Sequence, residues 1–434
     1  MMSAELRRNL WLEISLTRLA VIPLLLGLIF WGLSNVRDSF DPQFLSGAAR
    51  IFFTLVCTIW GAYLASSSIT EEAQAQTWDW QRLSSQRPSE LMIGKLFGST
   101  VLAWYGGAWC LVAYLVFTAL AGEMPSVSWL VLLPASAVLI QAGSMLLTLG
   151  IPPDQRTVNQ QRRGMGILRL LAILFVLQGL AGLGAELANS DSSVQWYGAN
   201  MAFLPFAAVS ILVWAGWAVF GCVQRLSTLL RCPTTPAPWL LFVVWSMFYF
   251  SGFAEGIAPK ISLAGLETDF SFLSLTMYSV SLVLALFMVL QEDKSPVLWR
   301  MWLSALRNEK YTLAWQRTPR WFATIGITLV VLGYALAKNS YISSWLLIAP
   351  LILFLRDAAV LYSLYWTPKR TRPQLAFAVY LLLVYLLLPY LLAPLRPLFL
   401  PDPGNIALSV LGFILEAAAA ITFCVFRWKA FYKK

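Results

Sequence analysis

The sequence predicts an all-α integral membrane protein, a polytopic helical bundle of about twelve transmembrane helices with both termini cytoplasmic. Three observations carry that reading. First, 59% of the 434 residues are apolar and only 12% charged, about half the charged share of an ordinary soluble domain. Second, the apolar residues gather into runs of roughly 20, about the length at which a helix spans a ~30 Å hydrocarbon core. Helices also satisfy their own backbone hydrogen bonds, as lipid requires. Third, Lys and Arg alternate between the two sides of those runs as cytoplasmic loops demand.

Taken in order, the spans are expected near 19–33, 50–68, 96–120, 129–150, 170–186 and 201–222, then near 239–253, 272–290, 321–337, 344–365, 375–395 and 406–426. With the amino terminus inside, 25 of the 31 Lys and Arg residues fall in cytoplasmic segments. Arg37, Arg50, Lys260, Lys338 and Arg396 fall on the other side, and Arg356 lies within a span. A missed span would reverse the alternation downstream, so the bias favours an even count. The first apolar run follows a mixed acidic and basic segment and lacks a small-residue cleavage pattern, so it is expected to be retained as a span.

The net charge of +10 is accounted for by positive-inside loops against anionic membrane lipids, and no nucleic acid partner is expected. Cys57, Cys110, Cys222, Cys232 and Cys424 lie in or beside spans without paired spacing, so no disulfide framework is indicated. The chain has no histidine, which removes the commonest general base and metal ligand. Gly94-Lys95 is not a phosphate-binding loop, because Ser89 and Leu96 stand where Gly and Ser or Thr are required. No catalytic residue, metal or cofactor is therefore expected on this chain.

The segment over 69–95 is the most informative. Its polar start takes the second helix out of the membrane through Glu71 and Glu72, after which Trp78, Trp80 and Leu83 stand among Asp79, Gln81 and Arg82. That mixture suits a short helix against another protein, since Trp and Arg anchor interfaces. It equally suits tryptophans in the headgroup belt. Pro88 then breaks the chain, and Ser89 is expected to cap the next helix.

Glu72, Thr77, Trp78, Asp79, Leu83, Pro88, Gly94, Lys95 and Leu96 fall in order on the pattern of the loop between the second and third spans of ABC-2-type transporter permeases, which this segment resembles. Gln76 stands where that family usually has glycine, and Gln86-Arg87 alters the approach to the proline. The resemblance is specific over about 30 residues and diffuse over the first six spans. It implies the transmembrane subunit of an exporter in a bacterial cytoplasmic membrane, with residues 77–83 as a coupling helix docking on a separate ATPase subunit. ATP and magnesium would sit on that partner, and two membrane units, a homodimer or a paired permease unit, would work together.

Leu6, Leu10, Trp11 and Ile14 recur at helical spacing among Arg7, Arg8 and Glu13, predicting an amphipathic in-plane helix over 5–18. Trp299, Trp302, Leu303 and Leu306 recur similarly before a later span. Residues 1–225 thus read as an amino-terminal six-span region and 226–434 as a carboxy-terminal one, a degenerate repeat with a short basic loop near 365–373. Within spans, Arg356, Asp357 and Glu416 are functional candidates because charge is costly in lipid. Arg356 and Glu416 equally suit a neutralising pair that fixes helix packing. Gly106-Gly107-Ala108 reads as a close-packing site. Two other functions fit the composition, an ion-coupled secondary transporter using Arg356, Asp357 and Glu416, or a membrane scaffold or enzyme subunit.

Overall fold

The computed structural model describes residues 4–36, 40–75, 81, 83, 86–150, 193–254, 272–338, 344–367 and 373–432. Among these, ten helices are long and apolar enough to cross a bilayer, and the chain is a multi-pass, all-α membrane protein. The span expected over 170–186 lies outside the described residues. Each of the other eleven has a helix at its place, although Ala237–Ser251, at 15 residues, is shorter than the rest. Outward faces carry large apolar side chains such as Leu24, Trp31, Val209 and Val330, whereas Thr100, Gln141, Ser274, Ser281, Thr324 and Thr328 are wholly buried. That inversion of a soluble core is expected where lipid is the solvent and small or hydroxylated residues mediate helix packing.

The chain divides into two units, Met1–Val194 with Asn200–Thr234, and Gln195–Ala199 with Thr235–Lys434. In the first, the in-plane helix α1 spans Ala4–Glu13 and stops short of the expected 5–18. Ser15 is extended and its hydroxyl accepts from the Arg18 backbone N–H at 3.3 Å, so a new helix, α2 (Leu16–Ser34), begins there. Arg18 thus belongs to the first span and pairs back to Glu13 at 2.7 Å.

The second span starts earlier than expected. Asp41 caps it by accepting from Phe44 N–H at 3.1 Å, with Pro42 in the first turn. It then runs as Pro42–Phe53, a π-helical stretch Thr54–Trp60, and Gly61–Gln74, together α3. Arg50 therefore lies inside the helix, its guanidinium 4.6 Å from the Trp129 ring centroid.

The π-helical stretch is held by neighbours. Gln141, wholly buried on α6 (Val127–Leu149), donates to the Cys57 carbonyl at 2.8 Å, and the Cys57 thiol donates to the Ala103 carbonyl at 3.1 Å. Close approach is the condition for this. A Cβ on Gly107 would lie 2.4 Å from Cys57 Sγ, and one on Gly61 would lie 2.4 Å from Gln141 Nε2.

The span expected over 96–120 is two helices, α4 (Pro88–Gly98) and α5 (Val101–Leu120). Ser99 and Thr100 hydroxyls bond the Lys95 and Leu96 carbonyls at the break, competing with the helical ladder there. Ser89 makes no cap. Pro88 starts α4 by its preset φ, with extended Arg87 before it. The unit is completed by α7 (Phe203–Leu229), which packs along α6.

In the second unit, α8 (Ala237–Ser251) and α9 (Phe272–Gln291) lead to two short helices, α10 (Pro296–Arg307) and α11 (Tyr311–Arg317). Four spans follow in sequence with α12 (Arg320–Lys338), α13 (Ser344–Tyr365), α14 (Pro373–Leu391) and, after a short helix α15 (Arg396–Phe399), α16 (Ile406–Tyr432). Among the described spans the most enclosed is α13, which α16 flanks and which shares a core with α9 and α12 built on Tyr278, Trp321, Phe354, Leu361 and Tyr362.

Candidate functional site

Among the described residues three buried ionic clusters stand out, one in the first unit and two in the second. In the first unit Lys95 on α4 is 1% exposed. Its ammonium pairs with Glu72, near the end of α3, and lies 3.6 Å from Glu5 on α1. A buried lysine without partners would be strongly destabilising, so these two carboxylates explain how it is tolerated. The same three helices meet closely here. Asn9 donates to the Gly94 carbonyl at 3.3 Å, and a Cβ on Gly98 would lie 2.7 Å from that of Asn9.

Residues 72 and 95 bracket the loop that resembles a coupling segment, so the cluster closes its base and ties it to α1. Glu71, one residue before, is exposed. Of the other loop residues singled out in the sequence, Leu83 is 84% exposed and Gln81 half-buried. Thr77, Trp78, Asp79, Trp80 and Arg82 lie outside the described residues. In the sequence Lys95 belongs to the loop pattern and Glu5 to the in-plane helix, and no spacing joins the two. The available signal was a lysine between apolar residues on a helix that must be buried.

In the second unit the structure brings Arg356, Asp357 and Glu416 together. Arg356 Nε donates to Asp357 at 2.9 Å, and Nη1 donates to Glu416 at 2.5 Å from α13 to α16. Asp357 also accepts from Tyr380 at 2.8 Å and from Tyr385 at 2.5 Å, both on α14. The tyrosines were not legible as partners, because their identity depends on how α14 winds past α13. A π-helical turn, Leu383–Leu387, lies where Tyr385 is delivered, and such turns recur at functional sites.

Two carboxylates against one guanidinium leave this cluster with one formal negative charge. Arg356 and Asp357 are buried, while the Glu416 side chain keeps 28% exposure. Arg356 Nη2 is buried without a hydrogen-bond partner among the described residues. Tyr380 also lines an open apolar groove of about 580 Å³ together with Val360, Leu364, Val379, Leu383 and Leu388. The arrangement can fix three helices, α13 to α16 by ion pairing and α13 to α14 by hydrogen bonds.

A third cluster lies just beyond the end of α9. Glu292 accepts from the Arg320 backbone N–H at 2.7 Å and so caps α12. Lys294 donates to the Leu290 and Glu292 carbonyls at 3.0 and 2.8 Å, and its ammonium lies 4.9 Å from the Tyr365 ring centroid. Burial pushes the Glu292 carboxyl up to about 7 and the Lys294 ammonium down to about 8.

No protein-family model matches the chain, and no curated protein or solved structure does either.

Proposed function

We propose that this chain is the transmembrane subunit of an ATP-driven ABC-2-type exporter in a bacterial cytoplasmic membrane. It crosses twelve times with both termini cytoplasmic, pairs with a second membrane unit, most simply its own copy, and depends on a separate ATPase subunit. The observation that carries the reading is the ordered run Glu72, Thr77, Trp78, Asp79, Leu83, Pro88, Gly94, Lys95 and Leu96, now joined by the ion pairing of Glu72 and Glu5 with Lys95 at its base. A loop that passes a partner's movement to transmembrane helices needs a stiff root, and a buried charge pair between helix ends supplies one. ATP-driven closure of two ATPases would push residues 77–83, and α3, α4 and α1 would move as one block. The chain itself performs no chemistry.

Trp78→Ala combined with Trp80→Ala tests this directly. The double variant should insert and accumulate normally while losing most of its ATPase partner on affinity purification. An unchanged complex would remove the coupling assignment. The excess carboxylate in the Arg356–Asp357–Glu416 cluster supports one other reading, an ion-coupled secondary transporter. Transport that stops with an uncoupler but continues without ATP would favour it.

A further inference from the structure

We propose that the α10–α11 hairpin is an anionic-lipid-binding element, seated in the headgroup layer of the membrane that the chain spans. Its position fixes it there. The hairpin leaves one span, α9, which ends at Gln291, and enters the next, α12, which begins at Arg320, so both of its ends are tied to the membrane surface. One side of α10 is anchored to the protein. The Trp299 ring lies 6.0 Å from Trp321 and 5.9 Å from Tyr362, Trp302 donates to Thr318 at 3.1 Å, and Ala305 is buried.

The rest of the surface has two properties together. Val297, Leu298, Met301, Leu303 and Leu306 are exposed large apolar residues. At helical spacing Val297 and Met301 on one side and Leu303 on the other flank a stripe formed by Arg300, Ser304 and Arg307, while Leu298 and Leu306 lie toward the anchored side. On α11, Tyr311 and Trp315 are exposed one turn apart, on a single face, as aromatic residues are at a membrane interface. Between 296 and 317, Arg300, Arg307, Lys310 and Arg317 face a single acid, Glu309.

Apolar flanks astride a basic stripe let the helix sink to the level of acyl chains while its arginines reach phosphates. Charge complementarity selects anionic headgroups. Lys294 is not part of this surface, since its ammonium is held by backbone carbonyls, and Arg317 likewise donates to the Met301 carbonyl at 3.4 Å, so the surface charge is that of Arg300, Arg307 and Lys310. The inference stands independently of the transport reading.

The test places a fluorophore on Ser304→Cys in the full chain, with Cys232→Ser and Cys424→Ser, the two cysteines that are not fully buried. The protein is reconstituted in phosphatidylcholine nanodiscs carrying a trace of shallow spin-labelled phosphatidylglycerol or phosphatidylcholine. Labelled phosphatidylglycerol should quench several-fold more strongly, and added salt should reduce the difference. Arg300→Gln with Arg307→Gln and Lys310→Gln should bring the two lipids to equality, while Arg300→Lys with Arg307→Lys should keep the preference. Equal quenching by both lipids in the unsubstituted hairpin, or no quenching by either, would overturn the proposal. So would a preference unchanged by loss of the three charges.

Discussion

Replacing Arg356 by methionine should be the most damaging single change in the intramembrane cluster. Arg356 is 2% exposed and serves two carboxylates, Asp357 at 2.9 Å and Glu416 at 2.5 Å. Its loss leaves both without a counter-charge, and breaking a buried pair in this way costs about 3–5 kcal/mol. For a unit of this size each kcal/mol corresponds to about 2–4 °C, so the melting point should fall by about 6–20 °C. Glu416→Gln should cost less, about 1–2 kcal/mol. Its side chain is already 28% exposed, and Arg356 keeps Asp357. Replacing all three by apolar residues of similar size, Arg356→Met with Asp357→Leu and Glu416→Leu, together with Tyr380→Phe and Tyr385→Phe so that no hydroxyl loses its acceptor, should recover most of the loss, because no charge is left to desolvate. Thermal unfolding in lipid-supplemented micelles measures all three variants. An Arg356→Met protein that melts within about 2 °C of the unsubstituted chain, or a Glu416→Gln protein that melts lower, would refute the reasoning.

Lys95→Met should destabilise the junction of α1, α3 and α4 by about 3 kcal/mol, since Glu72 and Glu5 lose their buried partner. Amide hydrogen exchange should show faster opening of Ala4–Glu13, and unchanged exchange there would contradict the role given to Lys95. The pH dependence of stability should carry the mark of Glu292. Its carboxyl rises from 4.5 to about 7, so between those values the folded chain keeps a proton that the unfolded chain has lost. Its contribution is therefore complete below about pH 4.5, falls as pH rises through 7, and is constant above. Lys294, lowered to about 8, acts oppositely, with stability regained between about pH 8 and 10.5. Glu292→Gln should flatten the lower slope in melting curves and, by removing a charge that holds the Lys294 ammonium up, extend the upper one to lower pH, and an unaltered lower slope would exclude this assignment.

The sequence by itself determined the class of solvent. Runs of about 20 apolar residues cannot form a watery surface, and eleven of the expected spans have their helices where hydropathy put them. It also pointed to Arg356, Asp357 and Glu416, because charge within a span is costly wherever that span sits. Helix ends were less legible. Ser15 ends α1 early by capping α2, Asp41 starts α3 early, and Ser99 and Thr100 divide one expected span into two. These are side-chain to backbone bonds that an average over hydropathy does not register.

Only the tertiary structure decided partnership. Glu5 is 90 residues from Lys95 and Asp357 is 28 from Tyr385, and nothing in local spacing joins either pair. They meet because α1 crosses α4 at Gly94 and Gly98, and because α14, with its π-helical turn, brings tyrosines to α13. Residues 77–80 and 82 rest on the sequence alone. In lipid, hydropathy places a helix in the membrane but exerts little preference among its neighbours. The contacts that choose those neighbours are the few buried charges, hydroxyls and glycines, and their pairing exists only once the chain is folded.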